Sequence, residues 1–336
     1  MSSIFCFGEL LLRLSPELNG EWIRQSSMPV FVGGAELNVA QALAKWDVPV
    51  SYGTALPDNY LSKEICNFLD QLRIDNSSIV FSGNRIGTYY LPQGSDLKNA
   101  GVIYDRAYSS FYELQPGQVD WDEVLRDKSW FHFSAISPAL NENVALVCKE
   151  GLQAATKKGL FISVDLNYRA KLWQWGKQPV EVMPELVQYC DLVMGNIWAA
   201  EKMLRTTLPA EIQNQKENYI QLSEKVSIEI CKRFPKCKQV ANTFRFDRDN
   251  GLQYFATLFK HNHLYVSSEH NTNSVVDKVG SGDCFMAGLI FGNYKKLPSQ
   301  EIIDFAAAAA FNKLFIKGDA TTSTVEEIKK GYHNYA

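Results

Sequence analysis

The stretch Val275-Val276-Asp277-Lys278-Val279-Gly280-Ser281-Gly282-Asp283-Cys284-Phe285-Met286-Ala287-Gly288 constrains this chain more than any other. A short β-branched run enters a Gly-Ser-Gly turn that passes straight into an apolar helix. The glycines let the backbone come close to a ligand. The first amides of the following helix have no partner inside it, so they and the helix dipole favour an anion. Such a turn holds a phosphate without a lysine. Asp283 sets a carboxylate in the first helical turn, beside that anion site. Ser281 or Asp283 could serve only as a helix cap, for which both residue types are suited. A cap, however, does not require glycine on both sides of one serine. Phosphoryl transfer to an alcohol does explain the pattern, because positioning and charge stabilisation dominate there and a carboxylate can accept the hydroxyl proton. Asp283 is the candidate base, with Gly280, Ser281 and Gly282 as the anion-holding turn. Two other phosphate motifs are excluded. No G-x-x-x-x-G-K-[ST] occurs, and a dinucleotide fingerprint would need Gly or Ala where the chain has Phe285.

The rest of the chain supplies a sheet for this turn. Ser3–Phe7 is an apolar run ending at Gly8 and reads as a buried strand opening into a functional loop. Strand-like runs at 49–54 and 78–81 flank a helical pattern over 60–72. From residue 129 strands at 130–134, 160–166, 191–196 and 239–243 alternate with helices at 142–158, 179–189 and one beginning near Ile197. Residues 207–234 are polar, then helical. A hairpin at 252–257 and 263–267 and helices at 284–295 and 299–316 follow. This rhythm predicts an α/β fold with a mostly parallel central sheet covered on both faces and ligands at the strand carboxyl ends. The rhythm breaks twice. Residues 20–32 alternate irregularly, like exposed sheet, and 86–91 with 101–106 read as a hairpin joined by turn chemistry at 92–96. The expected organisation is one domain over 1–336 with a small, discontinuous antiparallel β lid from about 13–33 and 85–110. Such a sheet cannot bury both faces alone, so it covers a pocket or pairs with another subunit.

Gly33-Gly34 opens a helix with apolar positions at 37, 40, 43 and 44, which puts Asn38 one turn in. An asparagine there either contacts a substrate hydroxyl or bonds locally to backbone. The near-neutral charge of −3 argues against nucleic acid or a membrane surface as partner. No apolar run reaches the roughly 18 residues of a membrane span, and no signal-peptide pattern opens the chain. Seven scattered cysteines fit a reduced, cytoplasmic setting better than a disulfide framework. Cys231 with Cys237 and His261 with His263 lack zinc-site spacing, so no metal-ligating residue is named.

Gly33-Gly34-x-x-x-Asn38-x-Ala40 and Asp277-x-x-Gly280-Ser281-Gly282-Asp283, in this order and separation, resemble the two signatures of the ribokinase-like (PfkB) sugar kinases. Ser281 stands where that family usually has alanine. The resemblance covers essentially the whole chain. It implies a three-layer ribokinase-like fold, ATP and magnesium as cofactors, a small sugar or sugar acid as acceptor, and a homodimer formed through the lid. Asp165-Leu166-Asn167-Tyr168-Arg169-x-x-Leu172-Trp173, Gly87-Thr88-Tyr89 and Tyr104-x-Arg106 further resemble the 2-keto-3-deoxygluconate kinases of the family, in which tyrosines and two arginines surround the keto acid. Substrate contacts are thus implied for Gly33, Gly34, Asn38, Tyr89, Tyr104, Arg106 and Arg169, with phosphorylation at the primary 6-hydroxyl. The chemistry agrees, since a guanidinium offers a carboxylate paired planar donors and keeps its charge. Each arginine could instead pair with an acid such as Asp105 or Asp165. Tyr89 and Tyr104 could simply fill the lid sheet. Arg13 stands where ribokinases proper carry a sugar-gripping aspartate, which suits an acidic sugar or a solvent-facing lid arginine.

Two departures from the family pattern fall on the nucleotide side. The family's Asn-x-x-Glu reads Asn196-x-x-Ala199 here, with Glu201 two places on, and its Thr-x-Gly reads Thr243-Phe244-Arg245. Nucleotide contacts are implied for Asn196, Thr243, Arg245, Gly282 and Asn312. Magnesium is expected either on Glu201 through water or mainly on ATP and groups beside Asp277. Two other functions stay open: a kinase for fructose or another neutral sugar, and a weakly catalytic sugar-acid binding protein on a kinase scaffold.

Overall fold

Strict alternation in the first strand sets the architecture. In Ser3–Phe7, Ile4 and Cys6 enter one hydrophobic core while Phe5 and Phe7 enter another. A strand buried on both faces belongs at the centre of a parallel sheet. The computed structural model describes residues 3–16, 22, 26–92, 101–248 and 251–331. In chain order its elements begin with β1 (Ser3–Phe7), β2 (Leu11–Leu14), β3 (Val30–Gly33), α1 (Ala35–Lys45), β4 (Val50–Gly53), β5 (Ala55–Leu56), α2 (Tyr60–Gln71), β6 (Val80–Phe81), β7 (Gly87–Tyr90) and β8 (Ile103–Asp105). Next come α3 (Trp121–Val124), β9 (Lys128–Ser134), α4 (Glu142–Lys157), β10 (Phe161–Asp165), α5 (Pro179–Val187), β11 (Leu192–Gly195), α6 (Ile197–Leu204) and α7 (Lys216–Arg233). The chain closes with β12 (Gln239–Arg248), β13 (Gly251–Lys260), β14 (His263–Val266), β15 (His270–Thr272), α8 (Ser281–Tyr294), α9 (Ser299–Lys313) and α10 (Val325–Lys330).

The main sheet has the order β14-β13-β12-β11-β10-β9-β1-β4, with β15 also on β13. From β4 to β12 every neighbour is parallel, and β13 adds antiparallel pairings at one edge. One face packs on residues of α1, α2, α8 and α9, among them Leu37, Leu69, Phe285 and Phe305. The other packs on α3 to α7 through Trp121, Val147, Met183, Met203 and Ile230. The expected α/β fold with a mostly parallel, doubly covered sheet is therefore present. Strand β12 runs to Arg248, beyond the expected 243, because it pairs with β13 along its whole length. Stacking of Phe244 on Phe255 at 4.9 Å supports that extension. Strand β6 pairs only with β5, in a sheet of two strands.

A second sheet has the order β3-β2-β7-β8. Its β7/β8 hairpin matches the expected one, but the sheet is not purely antiparallel, since β2 and β7 pair in parallel. The chain reaches β7 from β2 only after passing through the main fold, so it enters both strands from the same end. Of the expected sheet at 20–32, residues 20–21 and 23–25 lie outside the described residues, as do 93–96 of the expected turn; the strand seen is Val30–Gly33. Helix α8 begins at Ser281, before the expected 284, because Gly280 already ends the strand connection in a left-handed conformation. Among the described residues no helix is long and apolar enough to cross a membrane. All seven cysteines are unpaired.

Candidate active site

The carboxyl ends of the central strands and the inner face of the second sheet enclose a cavity of about 700 Å³. Glu9 follows β1, Asp165 ends β10, Gly195 ends β11, and Thr243 and Arg245 project from β12 into its wall. Gly280, Ser281, Gly282 and Asp283 line it from the start of α8.

Each residue of the turn has a distinct physical reason. Gly280 holds φ at 77°, and a Cβ there would lie 1.7 Å from the backbone oxygen of Asp319. Gly282 is the opposite case: a Cβ would meet no protein atom within 4 Å, so its smallness clears the cavity rather than the fold. Ser281 donates its Oγ proton to the Ala310 carbonyl at 2.9 Å and so fastens the turn to α9. No side chain caps α8, which leaves its leading amides to the cavity side.

Asp283 accepts a 2.7 Å hydrogen bond from Asn38 Nδ2. Burial pushes its carboxyl up to about 7; Asn38 and Arg169 pull it down, while Asp165 and Asp319 push it further up. Asn38 reaches it from α1, whose first residue follows Gly34. Gly34 sits at φ 137°, where a Cβ would lie 2.3 Å from the Glu9 carbonyl. The Asn38 Oδ1 is buried and has no protein partner. Glu36, also on α1, lines the cavity and accepts from the Ser134 amide at 2.8 Å and its hydroxyl at 2.6 Å. Burial raises its carboxyl to about 7 as well, against the hydrogen bonds from Ser134.

The two arginines have different surroundings. Arg106 is buried and held by Glu9, with Nε to Oε2 at 2.5 Å, rather than by Asp105 or Asp165. Asp105 pairs with Arg85 instead. Arg169 lines the cavity half-buried, its Nη1 donating to the Tyr168 carbonyl, with no carboxylate at ion-pair distance among the described residues. Tyr89 lines the cavity but spends its hydroxyl on Asp319 at 2.8 Å, and Tyr104 packs beside its ring at 6.3 Å. Gly33 lies outside the cavity wall, close against the Asp319 carboxylate. Arg13 neither meets the cavity nor faces solvent. It is 1% exposed and clamped by Asp277 at 2.9 Å and Asp319 at 2.7 Å.

Toward the other end, Asn196, Thr243 and Arg245 line the wall with Trp198, Lys202, Tyr254 and Lys278. Asn196 caps α6 by accepting from the Ala199 amide at 2.8 Å. Asn312 lies apart from this wall, accepting from Ser323 Oγ at 2.6 Å. Glu201 is also off the wall, and Asp277 spends its oxygens on Arg13 and on the amides of Val279 and Gly318. The sequence reading missed Glu9 and Glu36. Both had a signal: an acid directly after the Gly8 strand end, and one on the apolar side of the helix opened by Gly33-Gly34.

The family model described as pfkB family carbohydrate kinase matches residues 1–324. The chain is 26% identical over 336 residues to 2-dehydro-3-deoxygalactonokinase of Haloferax volcanii, covering 98% of this chain and 96% of that one. It is similar to the crystal structure of 2-dehydro-3-deoxygluconokinase from Thermotoga maritima, with a TM-score of 0.89, 33% identity and 99% of each chain covered. Fructokinase from Xylella fastidiosa, solved with bound ATP, shares the fold at a TM-score of 0.76 and 17% identity, over 98% of this chain and 97% of that one.

Proposed function

Since the chain belongs to the pfkB family of carbohydrate kinases, we propose that this sugar kinase transfers the γ-phosphoryl group of ATP to the primary 6-hydroxyl of 2-keto-3-deoxygluconate. The observation that carries the reading is one cavity holding both Asp283, raised to about 7, and Arg169, a guanidinium without a carboxylate at ion-pair distance among the described residues. A sugar acid needs a partner for its carboxylate, and a guanidinium provides it in paired, planar form. Arg106 is already neutralised by Glu9, so Arg169 takes the carboxylate, while the Glu9–Arg106 pair orients hydroxyl or keto oxygens.

Asp283 accepts the proton of the 6-hydroxyl as the oxygen bonds to the γ-phosphorus and the bond to ADP breaks. The product is the 6-phosphate, and the proton leaves later from Asp283 to water. The free amides at the start of α8 take the charge that develops on the phosphoryl oxygens. Asn38 keeps the carboxylate aimed and, through its unpartnered Oδ1, accepts from a sugar hydroxyl. At the nucleotide end of the cavity Arg245, Lys202 and Lys278 supply cations for a triphosphate, the two lysines by exchanging solvent-exposed partners, Glu201 and Asp247, for phosphate oxygens. Magnesium would be carried by the phosphates and its own waters, with Asp165 at the wall reaching them, and would neutralise charge during transfer. The second sheet closes the cavity against water. Its outer side exposes Val30 and Ile103 beside the stacked Trp22 and Tyr90, a face that a second copy of the chain would cover.

The test is turnover of ATP on 2-keto-3-deoxygluconate, its galactonate epimer and fructose, by wild type and Arg169→Ala. The variant should lose about 100-fold or more in kcat/KM on the keto acids, the equivalent of one charged hydrogen-bond pair, and change little on fructose. Equal losses on acid and neutral sugar would remove the carboxylate assignment, and better wild-type turnover of fructose would make the neutral-sugar reading the correct one.

A further inference from the structure

We propose that Lys313 is a positioning residue for phosphoryl transfer, its buried ammonium acting as a fixed cation that holds the Gly280–Gly282 turn in its anion-binding shape. The proposal rests on reading that turn as the phosphate-holding element. Lys313 ends α9 and is fully buried, yet it stands outside the cavity wall and so touches no substrate.

Its Nζ donates to the Ile316 carbonyl at 2.9 Å; burial pulls the pKa of the ammonium down, the Asp277 and Asp319 carboxylates push it up, and the Arg13 guanidinium pulls it down. Its Cε lies 3.5 Å from where a Cβ of Gly280 would stand, and the Asp319 carbonyl oxygen lies 1.7 Å from that same point. The rear of the turn is seated on α9 and the segment that follows it. The amides of Val276 and Asp277 donate to the Leu314 carbonyl at 2.8 and 3.1 Å, the Gly318 amide donates to Asp277 at 3.2 Å, and Ser281 is tied to Ala310.

Two carboxylates and several inward carbonyls thus crowd behind one turn. Arg13 pairs with both Asp277 and Asp319, and Lys313 adds a second positive charge in the field of the same two carboxylates. Arg13 arrives from β2 and connects the second sheet; Lys313 arrives from the segment that carries the turn. Two buried anions left to share one cation either take up a proton or move. Movement of the 314–319 segment would shift Gly280 directly, because the Asp319 carbonyl is in contact with it. A displacement near 1 Å is enough to lower a rate by about 100-fold.

The experiment compares wild type, Lys313→Ala and Lys313→Met in tetramethylammonium chloride, with ammonium or methylammonium chloride substituted at constant ionic strength. Wild type should turn over equally in all three salts, because its cation is built in. Both variants should lose about 10- to 100-fold in kcat while the sugar KM changes less than about threefold. Ammonium and methylammonium should restore part of the loss in Lys313→Ala, where the vacated space admits them, and none in Lys313→Met, where the side chain fills it. Activation of wild type by ammonium would overturn the proposal, as would wild-type kcat in folded Lys313→Met or a loss in Lys313→Ala that neither ion relieves. Variants that stay unfolded in every salt would make Lys313 a purely structural residue and also overturn it. ATP affinity, measured by calorimetry, separates this proposal from the functional reading beneath it. If wild type binds ATP but phosphorylates none of the three sugars, the kinase reading fails alone, and Lys313 is judged by affinity. A variant binding ATP as tightly as wild type in tetramethylammonium then rejects the positioning role, and weaker binding recovered by ammonium supports it.

Discussion

Removing the Asn38 side chain tests the base assignment through the pH dependence of the reaction. Asn38 Nδ2 donates to Asp283 Oδ2 at 2.7 Å and is one of the groups that hold this carboxyl down against burial. A hydrogen bond to a charged group contributes about 1.5–3 kcal/mol, which corresponds to about 1–2 pKa units. Asp283 keeps one face open to the cavity, so water compensates in part and the lower end applies, about 1 unit. The base works only when ionised, so activity falls as pH drops through its pKa. Asn38→Ala should therefore move the acid limb of kcat/KM upward by about 1 unit from its starting point near 7. The ionised fraction near neutrality falls from about one half to about one tenth, a loss of about fivefold that disappears toward about pH 9. The assay is kcat/KM for the sugar across this range, with ATP saturating. Loss of a substrate contact through Asn38 Oδ1 would lower kcat/KM equally at every pH. A uniform loss with an unmoved limb would refute the electrostatic role, and a limb moving downward would refute Asp283 as the base.

The two glycines of the turn should separate fold from chemistry. Gly280→Ala meets backbone at positive φ and should lose about 3 kcal/mol or more in thermal unfolding, whereas Gly282→Ala should keep its Tm and lose phosphate binding; comparable Tm losses in both would contradict the geometry. Glu36 is raised to about 7, so its contribution to stability is complete below the usual carboxylate range and is lost as pH rises through about 7. Glu36→Gln cannot titrate and should gain stability relative to wild type over that interval, by up to about 3 kcal/mol, as read by denaturant unfolding at each pH; a difference flat in pH would reject the assignment. Ile103→Asp on the outer face of the second sheet should convert dimer to monomer in sedimentation, and a wild type that sediments as a monomer would reject that interface.

Local chemistry was legible in the sequence. The turn at 280–283 could be read because glycine conformation and the orphan amides of a first helical turn depend on adjacent residues alone. The βα rhythm was legible because strand and helix periods are local patterns, and they gave the sheet its parallel core. Charge pairing was not. Arg13 reads as an acidic-sugar contact or a solvent-facing lid arginine, yet its partner Asp277 is 264 residues away and both side chains are buried. Arg106 sits next to Asp105 in the chain but meets Glu9, 97 residues away, because the hairpin turns adjacent side chains to opposite faces. The bond from Asn38 to Asp283 crosses 245 residues, and no local pattern singles out Lys313 at the end of α9. Periodicity states which face a side chain takes, but a guanidinium or ammonium selects its carboxylate by distance and burial, and only the packing of α1, α8, α9 and the second sheet around one turn decided those distances.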